Sequence, residues 1–359
     1  MRDVSGALRW DGGWMPGAPP PAPQECPVAI VIDGMSQAVL MATPQDLRDF
    51  ALGFALTEGL IASPADVVGF EQAEVSAGGF AACEARLWLR PGLAAGLAER
   101  RRSMVGPVGC GLCGVDSIAA ALPTVLRVVS DWTMPPQDVG RAVMALADGQ
   151  LLRRQTPAIH GAAFWDGARA LVREDVGRHN ALDKLAGALA LRALDPMPSG
   201  GDVEGWRLAG AGLAEPELAA TRVTSPAAMD PAAHGRALPK PSFDVPARTG
   251  QDRTAAAGSV PGSQGPELVG QEPVGEPTTG GRKAARPQGA ARGAIVMSSR
   301  ISVDLVQKAA RIGAPILIGA SAPTGLALDW ADRAGITLIA RARGEAFDLY
   351  THPQRIAGT

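Results

Sequence analysis

Two thiols three positions apart are the sharpest chemical feature of this chain. Cys110 and Cys113 lie in the run Gly106-Pro-Val-Gly-Cys-Gly-Leu-Cys-Gly114, where glycines let the backbone swing and be approached closely. A helix predicted to begin near Asp116 or Ser117 would set its positive end beside Cys113 and favour thiolate. Three kinds of chemistry fit such a pair: a sulfur or redox carrier, half of a zinc site, or a resolving disulfide. An incidental pair on a flexible loop is the ordinary alternative. Structural zinc needs four ligands, commonly a second Cys or His pair. Cys26, Cys83, His160, His179, His234 and His352 form no such pair in the sequence.

Four further segments place polar groups where strands meet helices. Arg173-Glu-Asp-Val-Gly-Arg178-His179-Asn-Ala-Leu-Asp183-Lys184 is dense in charge, and Arg178 and His179 offer donors suited to an anion. A solvated helix start laced with ion pairs fits it equally well. Ser298-Ser-Arg300-Ile-Ser302 and Ser321-Ala-Pro-Thr324 also follow strands and start helices, the usual place for ligands in an open α/β sheet. Plain capping accounts for Ser302 and Thr324. Arg341-Ala342-Arg343-Gly344 is placed on the connection after the last parallel strand, as a phosphate clamp or an ordinary exposed turn. His160, in Thr156-Pro-Ala-Ile-His-Gly, reads on its own as a structural histidine.

These residues need a scaffold, and the hydrophobic pattern supplies one. Val28–Ile32 and Ala38–Met41 flank Asp33-Gly34 and read as a hairpin. Thr43, Pro44 and Asp46 read as a helix start, followed by apolar residues at helical spacing up to Gly59. Cys83–Leu89 alternates as a strand, and Leu93–Arg101 reads as a helix. Pro135–Gly149 and Asn180–Leu194 carry helical periodicity; Ala162–Trp165 and Ala168–Val172 form a second hairpin pattern. Ala294–Met297, Pro315–Gly319 and Ile336–Arg341 are strands separated by helices at Ser302–Arg311 and Pro323–Arg333, each closed by a glycine. The class is α/β: an α+β part over residues 27–127 bearing the paired thiols, then a three-layer α/β/α domain over 128–359.

Composition bounds the rest. The chain has 359 residues, with 34 Lys and Arg against 36 Asp and Glu, so no basic field is available to hold nucleic acid. The 44 glycines and 30 prolines make about a fifth of the chain and point to unstructured segments. Residues 1–26 are expected to be flexible, and about 196–291 to be a disordered insertion unable to bury enough apolar surface. The first 24 residues contain no continuous apolar run, which predicts neither a signal peptide nor a membrane span.

In combination the motifs resemble the FdhD family, sulfurtransferase accessory proteins of formate dehydrogenase. The matching pieces are Thr43-Pro-Gln-Asp-Leu47, Gly53-Phe-Ala-Leu-Thr-Glu-Gly59, Cys110-Gly-Leu-Cys-Gly114, Ile159-His-Gly-Ala-Ala163 and the Arg173–Lys184 run. Ser302-Val-Asp-Leu-Val-Gln-Lys-Ala-Ala310, Ser321-Ala-Pro-Thr324 and Phe347-Asp-Leu-Tyr-Thr351 continue the order. Departures are the central insertion, Ser298-Ser-Arg300 where Ser-Gly-Arg is more typical, and Arg341-Ala-Arg343 where a Phe-Val-Arg-like run is common. The resemblance implies a cytoplasmic, dimeric carrier that takes sulfur as a persulfide from a cysteine desulfurase. It implies delivery of that sulfur to the molybdenum cofactor, as bis-molybdopterin guanine dinucleotide, before formate dehydrogenase receives it. It further implies a cytidine-deaminase-like C-terminal domain without zinc chemistry, and His160 is indeed followed by Gly161 and Ala162 rather than by the deaminase His-x-Glu pattern. By motif matching, Cys110 is the persulfide bearer, Cys113 its partner, and Arg341, Ala342, Arg343, Gly344, Glu345 and Ala346 contact the cofactor, with GDP as its mimic. Arg178, His179 and Arg300 join that site through their strand-end positions. The rival reading is a non-catalytic zinc- or nucleotide-binding chaperone that escorts the apo-enzyme.

Overall fold

The computed structural model describes residues 1–2, 4, 6–93, 123–194 and 288–358. All of them belong to one compact unit. Cys110, Cys113, the helices expected at Leu93–Arg101 and from Asp116 or Ser117, and nearly all of the 196–291 insertion lie outside the described residues.

The Asp33-Gly34 hairpin forms as expected: both residues adopt positive φ (47° and 76°), the geometry that two-residue hairpin turns need. Its strands, β3 (Cys26–Ile32) and β4 (Met35–Ala42), join β5 (Val67–Ala77) and β6 (Phe80–Leu89) in a four-stranded sheet of order β4-β3-β6-β5. β3 and β6 run parallel. β5 is mostly exposed and lacks a clean alternation, so its sequence carries little strand signal. One face of this sheet, with Val28, Ile30, Ile32, Ala85 and Leu87, packs on Phe50 and Phe54 of helix α1 (Leu47–Thr57).

The start of α1 corrects the expected cap. Asp46, at φ 54°, is the N-cap and gives no side-chain hydrogen bond, whereas Thr43 sits further upstream. The Thr43 groups are spent elsewhere, as described below.

The second sheet has six strands in the order β12-β11-β10-β9-β7-β8: β7 (His160–Trp165), β8 (Ala170–Asp175), β9 (Ala294–Met297), β10 (Ile316–Gly319), β11 (Thr337–Arg343) and β12 (Ala346–Leu349). β9, β10 and β11 are parallel neighbours, as the alternating pattern predicts, and the outer strands are antiparallel. Side-chain alternation divides its two faces. Ala163, Trp165, Val296, Ile318 and Ile339 bury α2 (Pro136–Gly149) on one side. Ala162, Phe164, Ile295, Met297, Leu317 and Leu338 face α3 (Arg178–Leu194), α4 (Val303–Ile312) and α5 (Gly325–Ala334) on the other. The result is three layers, α/β/α. Gly313 and Gly335 end α4 and α5 in the left-handed region, where a missing Cβ removes the steric penalty.

Helix α3 lies under the six-stranded sheet and also against α1, and Ala190 joins the core of the four-stranded sheet. This double contact explains why Asp183 and Lys184 are buried along with Leu182 and Leu185. It also requires glycine at the crossing: a Cβ on Gly53 would strike the backbone of Asp183, and one on Gly187 the backbone of Asp49.

Three other expectations change. The N-terminal stretch contains a small hairpin, β1 (Leu8–Trp10) with β2 (Trp14–Pro16), joined edge-to-face by Trp10 and Trp14 at 5.3 Å. The end of the supposed insertion, Gln288–Arg292, makes a 3-10 turn in which Ala290 is buried and the carbonyl of Ala291 accepts from Ser130 Oγ. Finally, Arg341 and Arg343 belong to β11 itself, which continues to a hairpin with β12; they do not lie on a connecting loop.

Candidate functional site

The Arg173–Lys184 run is the hinge of the molecule's polar architecture, and most of it is internal. Asp175 Oδ2 accepts from Thr43 N at 3.0 Å and pairs with Lys184 Nζ at 2.7 Å; neither Asp175 nor Lys184 is exposed at all. Asp175 Oδ1 accepts from Gly177 N and Asn180 Nδ2. Thr43 Oγ1 accepts from Val176 N, and the Thr43 carbonyl accepts from Lys184 Nζ at 2.9 Å. Arg173 pairs with Asp49 at 2.7 Å. These groups fasten α1 to the β8–α3 junction, which is the ion-pair reading of the run rather than the ligand reading.

A second buried network lies further along α3. Lys308 of α4 donates to Asp183 Oδ1 (2.8 Å), Glu58 Oε1 (2.7 Å) and Thr57 Oγ1 (2.9 Å), and Thr57 Oγ1 donates to Asp183 Oδ1 at 2.6 Å. Burial opposes the charge on Lys308, but the two carboxylates outweigh it and raise its pKa. Burial likewise pushes Asp183 up, to about 6, against the pull of Lys308. The sequence reading missed this network, because Lys308 and Glu58 are 250 residues apart.

The residues assigned to ligand binding from sequence lie along one edge of the six-stranded sheet. Parallel strands β9, β10 and β11 end there, at Met297, Gly319 and Arg343, and Ser298-Ser-Arg300 leaves β9 directly. β7 starts at the same edge: Gly161 N donates to Ser298 Oγ at 2.8 Å, and Ser298 N donates to the Gly161 carbonyl. β8 ends there too, with His160 opposite Asp175, and delivers Arg178 and His179 into the first turn of α3. His179 meets Asp304 in the first turn of α4. Burial drives His179 down to about 4 despite that carboxylate. Arg300 is exposed.

The Arg341–Ala346 hairpin extends from this edge on β11. Arg341 occupies a bulge at φ 52°, donates its backbone N–H to the Ser321 carbonyl, and pairs across strands with Asp348 at 2.8 Å. Arg341 is therefore engaged, while Arg343, Gly344, Glu345 and Ala346 are exposed and Ala342 is buried. A Cβ on Gly140 of α2 would strike the Gly344 carbonyl, so α2 packs closely against the turn.

His160, which reads from sequence as a structural histidine, stands at the same edge. Arg153 holds the chain leading to it by donating to the Pro157 and Ile159 carbonyls, and Glu174 accepts from the backbone of Leu152 and Arg153. His160 Nδ1 is buried and has no hydrogen-bond partner among the described residues. Burial, Arg178 and Arg153 together lower its pKa.

The sequence model of the FdhD/NarQ family matches residues 23–199 and 280–357. The chain belongs to this family. Among FdhD/NarQ relatives, a protein of Agrobacterium fabrum named sulfur carrier protein FdhD is 35% identical over 341 residues, covering 93% of this chain and 88% of that one. Proteins of the same name from Bordetella bronchiseptica and Cupriavidus necator are each 32% identical, over 93% and 97% of this chain and 86% and 88% of theirs. A solved structure from Desulfotalea psychrophila, provisionally named a formate dehydrogenase accessory protein, shares the fold with TM-score 0.55 at 19% identity, covering 98% of this chain and 96% of that one. Among the described residues, no helix is long and apolar enough to cross a membrane.

Proposed function

We propose that this protein is a sulfur carrier serving a formate dehydrogenase. The observation that carries the reading is family membership over most of the chain, with relatives that bear the sulfur-carrier name. In this reading the Cys110 thiolate attacks the terminal sulfur of a cysteine desulfurase persulfide, the S–S bond breaks, and the desulfurase thiolate leaves. Cys110 then holds the sulfur as its own persulfide, with Cys113 as partner, and releases it to the molybdenum cofactor. A thiol of low pKa suits both transfers, as nucleophile first and leaving group second.

The cargo of this reading is bis-molybdopterin guanine dinucleotide, a ligand with pyrophosphate groups. Pyrophosphate calls for guanidinium and N–H donors. The strand-end edge offers them, in Arg178, Arg300 and Arg343, and supports that assignment. In this reading the carrier works in the cytoplasm as a homodimer. The test is incubation with a cysteine desulfurase, cysteine and radiolabelled sulfur, followed by non-reducing analysis. Label should stay with the wild-type chain, be lost from Cys110→Ala, and be reduced in Cys113→Ala. Full labelling of Cys110→Ala would overturn the assignment of the carrier thiol. Metal analysis of the purified protein tests the zinc-chaperone alternative.

A further inference from the structure

Among the described residues, three polar atoms at one corner of the six-stranded sheet are buried and lack any partner: His160 Nδ1, Arg178 Nε and Ser302 Oγ, while His179 Nε2 and Asp304 Oδ2 beside them face only each other. They come from three different elements. Strand alternation puts His160 on the face shared with Ala162 and Phe164, toward α3 and α4. Arg178 opens α3, close enough to His160 to depress its proton affinity once burial has acted. Ser302 precedes α4 without capping it. The His179–Asp304 contact pins the first turns of α3 and α4 together, so Arg178 and Ser302 flank one joint.

Folded proteins leave few buried polar atoms unpaired, and three at one corner require an account. All three can donate a hydrogen bond, His160 when Nδ1 carries the proton. The nearby carboxylates are already engaged: Asp175 by Lys184, Asn180 and Gly177, and Asp304 by His179. The corner therefore has a surplus of donors and one fixed positive charge. The missing partner is an anion with several acceptor oxygens.

We propose that His160, Arg178 and Ser302 form a subsite for one phosphoryl group, the diphosphate end of the nucleotide cargo. The identity of the cargo rests on the sulfur-carrier reading; the subsite does not. β7 and β11 are three strand spacings apart, about 14 Å, so one phosphoryl group cannot touch both this corner and the Arg341–Ala346 hairpin. A nucleotide laid along the edge reaches both.

Calorimetric titration of the full chain with inorganic phosphate, pyrophosphate, GMP and GDP, at fixed ionic strength, tests the subsite. Pyrophosphate and GDP should bind, with GDP tighter. Arg178→Gln should weaken both about tenfold or more, and His160→Ala and Ser302→Ala a few-fold each. The melting temperature without ligand should fall little in any of the three, because none of these three atoms loses a hydrogen bond. Unchanged pyrophosphate and GDP affinity in all three soluble variants would overturn the subsite. GDP binding lost only in Arg341→Ala/Arg343→Ala would also overturn it, leaving the cargo reading intact. Pyrophosphate binding that depends on the three residues, with GDP no tighter, would uphold the subsite and remove the guanine nucleotide from the proposed function.

Discussion

The run from Arg173 to Lys184 behaves in two opposite ways within twelve residues. Asp175, Asn180, Asp183 and Lys184 are buried and paired, each with partners on another element. Arg178, between them, has a buried Nε that finds no acceptor among the described residues. The paired half fastens α1, α3 and α4 together, and the unpaired half faces the end of the sheet. Charge density alone therefore does not separate a pinned polar cluster from donors left unpaired. A protein that holds these polar elements so firmly can keep a few donors unpaired at the edge.

If that division is right, the largest effects belong to the paired half. Lys184→Met strands Asp175 in the interior, and Lys308→Met does the same to Asp183. Each should cost about 3–5 kcal/mol, the usual penalty for removing one partner of a buried pair. Arg178→Gln should change stability by less than about 0.5 kcal/mol in the absence of ligand. Urea titrations of the three variants check the contrast. Equal losses would abolish it, and Asp175→Asn/Lys184→Met should recover part of the loss in Lys184→Met.

The helix crossing that carries both networks comes next. Gly53→Ala must push α1 off α3, since the obstacle is the backbone of Asp183 and not a movable side chain. Overpacking of this kind costs about 1–3 kcal/mol. Separation of the helices should also loosen the Lys308–Asp183–Glu58 group, so Gly53→Ala and Lys308→Met should be less than additive in a double-mutant cycle. Additive losses would show that the glycine crossing and the charge network act independently.

How much of this was legible in advance follows from the range of the interactions. Local signals are legible: the Asp33-Gly34 turn, the Gly313 and Gly335 helix ends and the parallel β9, β10 and β11 all follow from neighbouring residues. Long-range pairing was not legible. Thr43 looked like a cap because its true partners, Asp175, Val176 and Lys184, lie more than 130 residues away. β12 was missed because its four residues show no full alternation, and Arg341 was therefore placed on a loop. At the candidate site, sequence reasoning puts Arg178, His179 and Arg300 at strand-to-helix junctions, where the structure also has them, because such junctions are local. It could not say that His179 is taken up by Asp304, or that His160 and Ser302 are left unpaired.

Cys26 tests how dry the paired side is. It lies in van der Waals range of Cys83, with sulfurs 3.9 Å apart, beside Asp175 and Lys184. Burial, then Cys83, raises its pKa from 9.0 to about 11. An acid that holds its proton more tightly when folded loses stability as pH rises through the unfolded value. The contribution of Cys26 should therefore be intact below pH 9 and decline between pH 9 and 11, and Cys26→Ala should flatten that decline. Iodoacetamide at pH 8 should leave Cys26 and Cys83 unmodified in native protein, as read by mass spectrometry. Rapid native labelling of either would show that water reaches the paired side.

The smallest effect separates two hydroxyls in equivalent places. Ser302 and Thr324 each precede a ten-residue helix on the same sheet face, and both looked like ordinary caps. Thr324 Oγ1 accepts from Ala327 N at 3.4 Å, a long but helix-directed bond. Ser302 Oγ has no hydrogen-bond partner among the described residues. Loss of a working N-cap costs about 1 kcal/mol, whereas loss of a hydroxyl without a partner removes no contact. Thr324→Ala should therefore lower stability by about 1 kcal/mol, and Ser302→Ala should leave it unchanged or slightly higher. With saturating pyrophosphate the two should respond differently: Ser302→Ala should gain less stabilisation from the ligand than wild type, while Thr324→Ala gains the same, because the stabilisation depends on the ligand's affinity for the folded state. Equal ligand-induced shifts in the two variants would place Ser302 outside the anion corner and return it to the structural side of the comparison.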